Sequence, residues 1–300
     1  MKRHLVQIAF ALAALVVSIP VSAAYQTFVA ANGNDANPCS LALPCSTFAA
    51  AIRQTASGGE VIVIDSGSYG SVAITESVSI IAPAGVHAGV MVFSGDGVAV
   101  NAPEAIVILR GLTITGVGGI NGINVTSVGQ LRVEGVHVSG FASYGSFGLR
   151  FAAASGSLTA IRSVFDGNWI GIESAPPSGT EVSIVVEDTT LNHNAAGYRS
   201  IGSGTTNAMI TRTSASANSE NGFLPIGSTA DTLTLEGCVA SNNGFNGIES
   251  MGKVVLSNNT ITGNGIGVYL IGGTVETRGN NTVRQNGTDV RGSLTTISGI

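Results

Sequence analysis

An all-β solenoid, built as a parallel β-helix, is the fold class that three features of this sequence predict. Composition is the first. Glycine supplies 41 of 300 residues and charged side chains only 10%, against ~25% charged in an ordinary soluble domain. Hydrophobic residues at 44% and a mean hydropathy of +0.39 argue against disorder. The eight prolines and aperiodic glycines exclude collagen, and the scarcity of Glu, Lys and Arg excludes a helical bundle. The second feature is a repeated phrase, a glycine followed by a hydrophobic residue, at Gly122, Gly148, Gly171, Gly197, Gly222, Gly247 and Gly267, with intervals of 20 to 26 residues. The third is a run of asparagines upstream of those glycines: Asn168, Asn194, Asn218, Asn243, Asn264 and Asn286. A repeat this short holds two or three strands and no helix, and only stacking of coils can bury its apolar side chains.

Along the chain, each segment has its own reason. Lys2, Arg3 and His4 precede an unbroken apolar run from Ile8 to Val17, then Pro20 and the small-residue end Val21–Ala23. Residues 1–23 read as a cleaved signal peptide; the apolar run is shorter than the ~20 residues a membrane span needs. Its removal leaves 11 basic residues against 18 acidic ones, which argues against nucleic acid and anionic membrane as partners. No later segment is apolar enough to span a bilayer.

Residues 24–58 read as an N-terminal cap. Cys39 and Cys45 are spaced as a local disulfide around a Pro- and Asn-rich loop, the expected state in an exported chain. Half a metal site is the alternative, for which neighbouring His or Cys ligands are lacking. Ser46–Ile52 reads as a short N-capped helix that would lid the first coil. Residues 59–300 read as the solenoid. Strand-sized runs occur at Val61–Ile64, Val78–Ile81, Val90–Phe93 and Ile106–Leu109. Alternating runs follow at Leu131–Val133, Val182–Ile184, Leu233–Leu235, Val254–Leu256 and Val275–Thr277. Strands of successive coils would pair in parallel ~4.8 Å apart. The asparagines would stack as an amide ladder inside a turn, where their tolerance of left-handed backbone also suits them. Cys238, alone in a strand-like stretch, reads as a buried, inert thiol.

The opening Thr27–Asp35, the Pro38-Cys39 and Pro44–Phe48 segments, Gly59–Val63 and Gly67–Tyr69 resemble the start of secreted bacterial parallel β-helix proteins. The coils Asn168–Ile172 and Asn264–Val268 are similar to the pectin-lyase-like repeat. The resemblance implies a right-handed parallel β-helix solenoid of about ten coils, and a secreted, periplasmic or envelope location. It is specific for fold and not for activity, because that superfamily includes lyases, hydrolases, epimerases and adhesins.

For chemistry, residues of successive coils fall into columns. Two positions after each repeated glycine stand Asn124, Arg150, Glu173, Arg199, Leu224, Glu249 and Tyr269. At the end of the other strand stand Glu134, Arg162, Glu187, Arg212, Glu236, Ser257 and Arg278. Signs alternate in both. Stacked like charges destabilise, so folding alone favours such alternation; a polar stripe gripping an extended polymer is the functional reading. Arg150, Glu173, Arg199, Glu249 and Tyr269 are the candidate substrate-binding residues, with Tyr269 offering a sugar-stacking face.

Catalysis finds less support. Glycoside hydrolysis needs two carboxylates in one cleft, one of them in apolar or anionic surroundings; Glu173, flanked by two arginines, suits pairing instead. The hydrolase motifs Asn-x-Asp, Asp-Asp, Gly-His-Gly and Arg-x-Lys and the epimerase motif Asp-Pro-His-Asp, which the resemblance would lead one to seek, do not occur. A lyase would need an arginine or lysine base beside calcium-binding carboxylates. Lys253 is the one lysine after residue 23, and no three carboxylates fall at coil spacing. His193 reads as a solvated turn residue near Glu187 and Asp188, and Asn32–Asn37 as Asx turns rather than a calcium loop. For Trp169, burial under the turn and sugar stacking stand level. The expectation is a cofactor-free, metal-free, non-catalytic exported protein presenting a polar face to polysaccharide or serving a structural envelope role. A lyase on an acidic polysaccharide, centred on Arg150, Glu173 and Arg199, is the alternative.

Overall fold

The computed structural model describes residues 23–298; the segment read as a signal peptide lies outside the described residues, Ala23 excepted. Short apolar strands separated by glycine and asparagine turns wind into a parallel β-solenoid of about nine turns, against the ten expected. Three parallel sheets follow its length. The first stacks strands from Ala24–Val29 and Thr55–Val63 up to Leu294–Thr296. The second runs from Val72–Ile74 to Thr288–Arg291. The third runs from Gly67–Ser68 to Thr282–Val283, with Ser214 bridging its two parts. The long strands Asp96–Arg110 and Asn121–Glu134 turn the corner from the second sheet into the first. The parallel sheet begins within the segment 24–58, since Thr27 pairs with Val61 and Val29 with Val63.

Alternation decides what is inside. On the first sheet Ile80, Leu109, Val133, Val186, Ile210 and Leu235 occupy one fully buried column. On the second, Ile123, Leu149, Ile172, Tyr198, Phe223 and Ile248 do the same. The repeated glycine faces inward beside them. A Cβ on Gly171 would stand 2.6 Å from the Gly197 carbonyl oxygen, and one on Gly148 would stand 2.6 Å from that of Gly171. The glycine phrase recurs because the rungs approach too closely there for any side chain.

The asparagine ladder forms as expected. Asn168 donates its backbone N–H to Asn194 Oδ1 at 2.9 Å, and Asn194 does the same to Asn218. The series continues through Asn243 and Asn264 to Asn286. The left-handed position, however, is the residue before each ladder amide: φ is +55° at His193, +54° at Ala217 and +56° at Asn242. The ladder side chain therefore satisfies buried N–H groups, and its neighbour takes the tight bend. A second polar column crosses the core wall at Ser163, Thr189 and Thr213, continuing through Cys238 to Asn259. Cys238 is buried there, and desolvation pushes its thiol up to about 11.

At the N-terminal end Cys39 and Cys45 are disulfide-bonded. The helix is Phe48–Ile52, capped by Thr47 rather than begun at Ser46: Thr47 Oγ1 accepts from Ala50 N at 3.1 Å. Phe48 packs on Tyr69 with ring centres 5.2 Å apart, closing the first coil. The Asn32–Asn37 loop is an Asx turn, with Asn34 Oδ1 accepting from Ala36 N at 2.9 Å. Asp35 is committed to the N–H and hydroxyl groups of Ser46 and Thr47.

Candidate functional site

The outer face of the second sheet carries the candidate residues at one-rung spacing. Arg150 pairs in register with Glu173, Glu173 with Arg199, and Arg199 with Leu224. Further on, Glu249 pairs with Tyr269 and Tyr269 with Arg291. Glu173 is only 2% exposed, and its two oxygens are divided between the arginines: Arg150 Nε donates to Oε1 at 3.1 Å and Arg199 Nε to Oε2 at 2.9 Å. Arg199 is itself 12% exposed and lies over the Trp169 ring at 4.5 Å. Glu173 is desolvated between its two partners, whereas Arg150 keeps 38% of its side chain exposed.

Trp169 is held on several sides. Arg199 covers it on one side, and Tyr144 and Phe147 pack on it at 4.5 and 5.6 Å. Trp169 is thereby half-buried, and Tyr144, 90% exposed, is the more open aromatic surface. Phe147, Ile170, Ala196 and Leu224 form a small apolar strip of their own on the outside of the sheet. Sequence reasoning missed Tyr144, because it sits in the loop between Phe141 and Phe147 and not in any column.

Glu249 lies further along, half-buried. Its Oε2 accepts from Asn246 Nδ2 at 2.6 Å, and Asn246 also donates to Asn221 Oδ1 at 2.9 Å. Burial raises the Glu249 carboxyl above its ordinary range; the Asn246 hydrogen bond opposes this and the charge of Glu220 adds to it. Tyr269 carries Arg291 over its ring at 5.2 Å. Two clefts open along this side. One of about 550 Å³ is walled by Trp169, His193, Ser219 and Glu220. The other, about 440 Å³, is walled by Phe245, Asn246, Tyr269 and Arg291. His193 borders the first and bonds through Nδ1 to Asp166 at 2.8 Å, on the rung below, rather than meeting Glu187 or Asp188. Among the described residues no three His, Cys, Asp or Glu side chains converge to hold a metal ion, and no helix is long and apolar enough to cross a membrane.

The second proposed column needs correction. Glu134, Ile161, Glu187, Thr211 and Glu236 share the strand-end register. Arg162 and Arg212 stand one residue later, in left-handed corners with φ +47° and +45°. From there they reach diagonally to Glu134 and to Glu187 and Asp188. Arg162, Arg212, Glu187 and Asp188 are exposed, where solvent screens the pairing.

With that geometry in hand, comparison with solved structures is informative. The crystal structure of pectate lyase Pel9A superposes with a TM-score of 0.65 at 19% identity, covering 87% of this chain and 79% of that one. The fold the two share is a parallel β-helix. A rhamnogalacturonan lyase matches with a TM-score of 0.57 at 13% identity, over 84% of this chain and 75% of that one. No family model and no curated protein matches. At these identities the likeness of the β-helices is one of fold.

Proposed function

We propose that this β-helix binds an extended polysaccharide along the outer face of its second sheet. The observation that carries the reading is the pair of exposed aromatic rings beside this column, Tyr144 at 90% and Phe245 at 58% exposure, with Phe245 and Tyr269 walling one cleft. Aromatic faces and side-chain amides recognise sugar rings and hydroxyls. The N-terminal segment 1–23 and the Cys39–Cys45 disulfide support an exported location. The solved β-helices it resembles are named as polysaccharide lyases, but Arg150 and Arg199 are both turned onto Glu173 here, which weighs against either as a lyase base.

Affinity electrophoresis through gels containing plant and bacterial polysaccharides tests the reading. Retardation by at least one is expected. Tyr144→Ala and Phe245→Ala should each weaken binding about twofold to tenfold, since an aromatic contact contributes ~0.5–1.5 kcal/mol. A chain that none of the gels retards would remove the binding function. No unsaturated, ultraviolet-absorbing product should appear from pectate, alginate or hyaluronan; release that vanishes in Arg199→Ala would replace binding with lyase chemistry.

A further inference from the structure

The repeated glycine of the second sheet is replaced on one rung. Ile266 pairs with Thr288 and Val268 with Val290, so Asp289 holds on the last strand the place that Gly267 holds on the strand before it. On the earlier rungs that place admits no side chain. A Cβ on Gly197 would stand 2.8 Å from the Gly222 carbonyl oxygen, one on Gly222 2.6 Å from that of Gly247, and one on Gly247 2.7 Å from that of Gly267. The obstructing carbonyl always belongs to the next rung. Among the described residues no strand pairs on the far side of Thr288–Arg291. Asp289 therefore fits there, and its side chain fills the space that the carbonyl of a further rung would need.

The same carboxylate ends the asparagine ladder. Asn264 gives its backbone N–H and its Nδ2 to Asn286 Oδ1, at 3.0 and 2.9 Å. Asn286 gives the same two groups to Asp289 Oδ1, at 3.2 and 3.1 Å. Asp289 thus takes the part that a further asparagine would play, from within its own coil. Those two bonds hold its carboxyl below the ordinary 3.8. Its side chain keeps 37% exposure, with Arg284 Nη1 at 3.9 Å from Oδ2 and itself 77% exposed. A rung arriving on this end would have to push the side chain off the ladder and strip water from a carboxylate with no close-held cation.

We propose that Asp289 is a stop residue, which closes this end of the second sheet to a rung from a second copy of the chain. An unpaired strand edge is a template for such pairing, and an inward-pointing charge is one way to block it. Here three effects coincide in one side chain: volume at the glycine position, a charge that resists burial, and an acceptor that leaves the ladder complete.

Sedimentation velocity of the purified full chain over a range of concentrations tests this. Asp289→Gly restores the repeat and should lower the dissociation constant for self-association about tenfold or more, as expected for relief of an overpacked contact. Asp289→Ala loses the same carboxylate but keeps a Cβ, and should sediment like the parent. Circular dichroism checks that both variants fold. In the parent, amide hydrogen exchange across Thr288–Arg291 should not depend on protein concentration, a reading that needs no variant. Three results would each overturn the proposal: Asp289→Gly sedimenting like the parent, Asp289→Ala associating as strongly as Asp289→Gly, or protection at Thr288–Arg291 that grows with concentration in the parent.

Discussion

Asn218 shows what one side chain contributes in this fold. It is 1% exposed; its Oδ1 accepts the Asn194 N–H at 2.9 Å, and its own Nδ2 donates to Asn243 Oδ1 at 3.0 Å. Its value is that it satisfies a buried donor no strand can reach. Asn218→Ala should therefore cost ~1–3 kcal/mol by stranding the Asn194 N–H. Asn286→Ala, on the last rung of the ladder and partly open to water, should cost less. Urea unfolding midpoints check the ordering; equal losses at the two positions would mean that the ladder confers no special stability. Glu173 works differently, since its carboxylate matters through the two guanidinium groups it holds.

At the scale of the rung, close approach governs. The strand Ile170–Ser174 can lie on Ala196–Ser200 only because Gly171 has no side chain: a Cβ there would meet the Gly197 carbonyl at 2.6 Å and Asn194 Nδ2 at 3.1 Å. Gly167, in the preceding turn, is different, with φ +66° and open space around its Cβ position. Gly171→Ala should cost ~3 kcal/mol through overpacking of backbone against backbone, and Gly167→Ala only ~1 kcal/mol of left-handed strain. Chemical denaturation of the two variants tests this. A larger loss at Gly167 would show that turn conformation, rather than rung spacing, fixes the glycine repeat.

For the whole molecule, the charged surface sets how stability responds to pH. Burial would raise the Glu134 carboxyl, but the Arg132 hydrogen bond and the charges of Arg110, Arg132 and Arg162 outweigh it and hold it below its ordinary 4.5. Glu236 is held low by Ser257 and Asn258, and Asp188 by Arg212. A group lowered in the folded state stabilises above its unfolded value, so this contribution disappears as pH falls below about 4.5. Glu249 has the opposite sign. Raised in the folded state, it favours folding below its ordinary 4.5 and loses that contribution as pH rises through its folded value. Glu249→Gln should consequently match the parent in acid and unfold at a higher temperature than the parent at neutral pH. Melting curves across pH 3–8 read this directly, and equal curves throughout would contradict the burial of that carboxyl.

Much of this architecture is written in the chain because a solenoid repeats its constraints. A glycine required once by rung spacing is required at each coil, and an amide that satisfies one buried N–H is needed again on the next. Period, ladder and the column from Asn124 to Tyr269 could therefore be aligned from sequence alone, and the register agrees. The left-handed corners at Arg162 and Arg212 could not, since a bend of one residue moves a side chain out of its column without altering the spacing of charges. The site followed the same division. Sequence supplied Arg150, Glu173, Arg199, Glu249 and Tyr269 as a stripe. Only the tertiary structure decided that Arg150 and Arg199 are consumed by Glu173, that Tyr144 is the more exposed ring over a half-buried Trp169, and that Asn246 holds Glu249. Those facts depend on turns and loops, which carry no repeat, and on burial, which belongs to the stacked coils together.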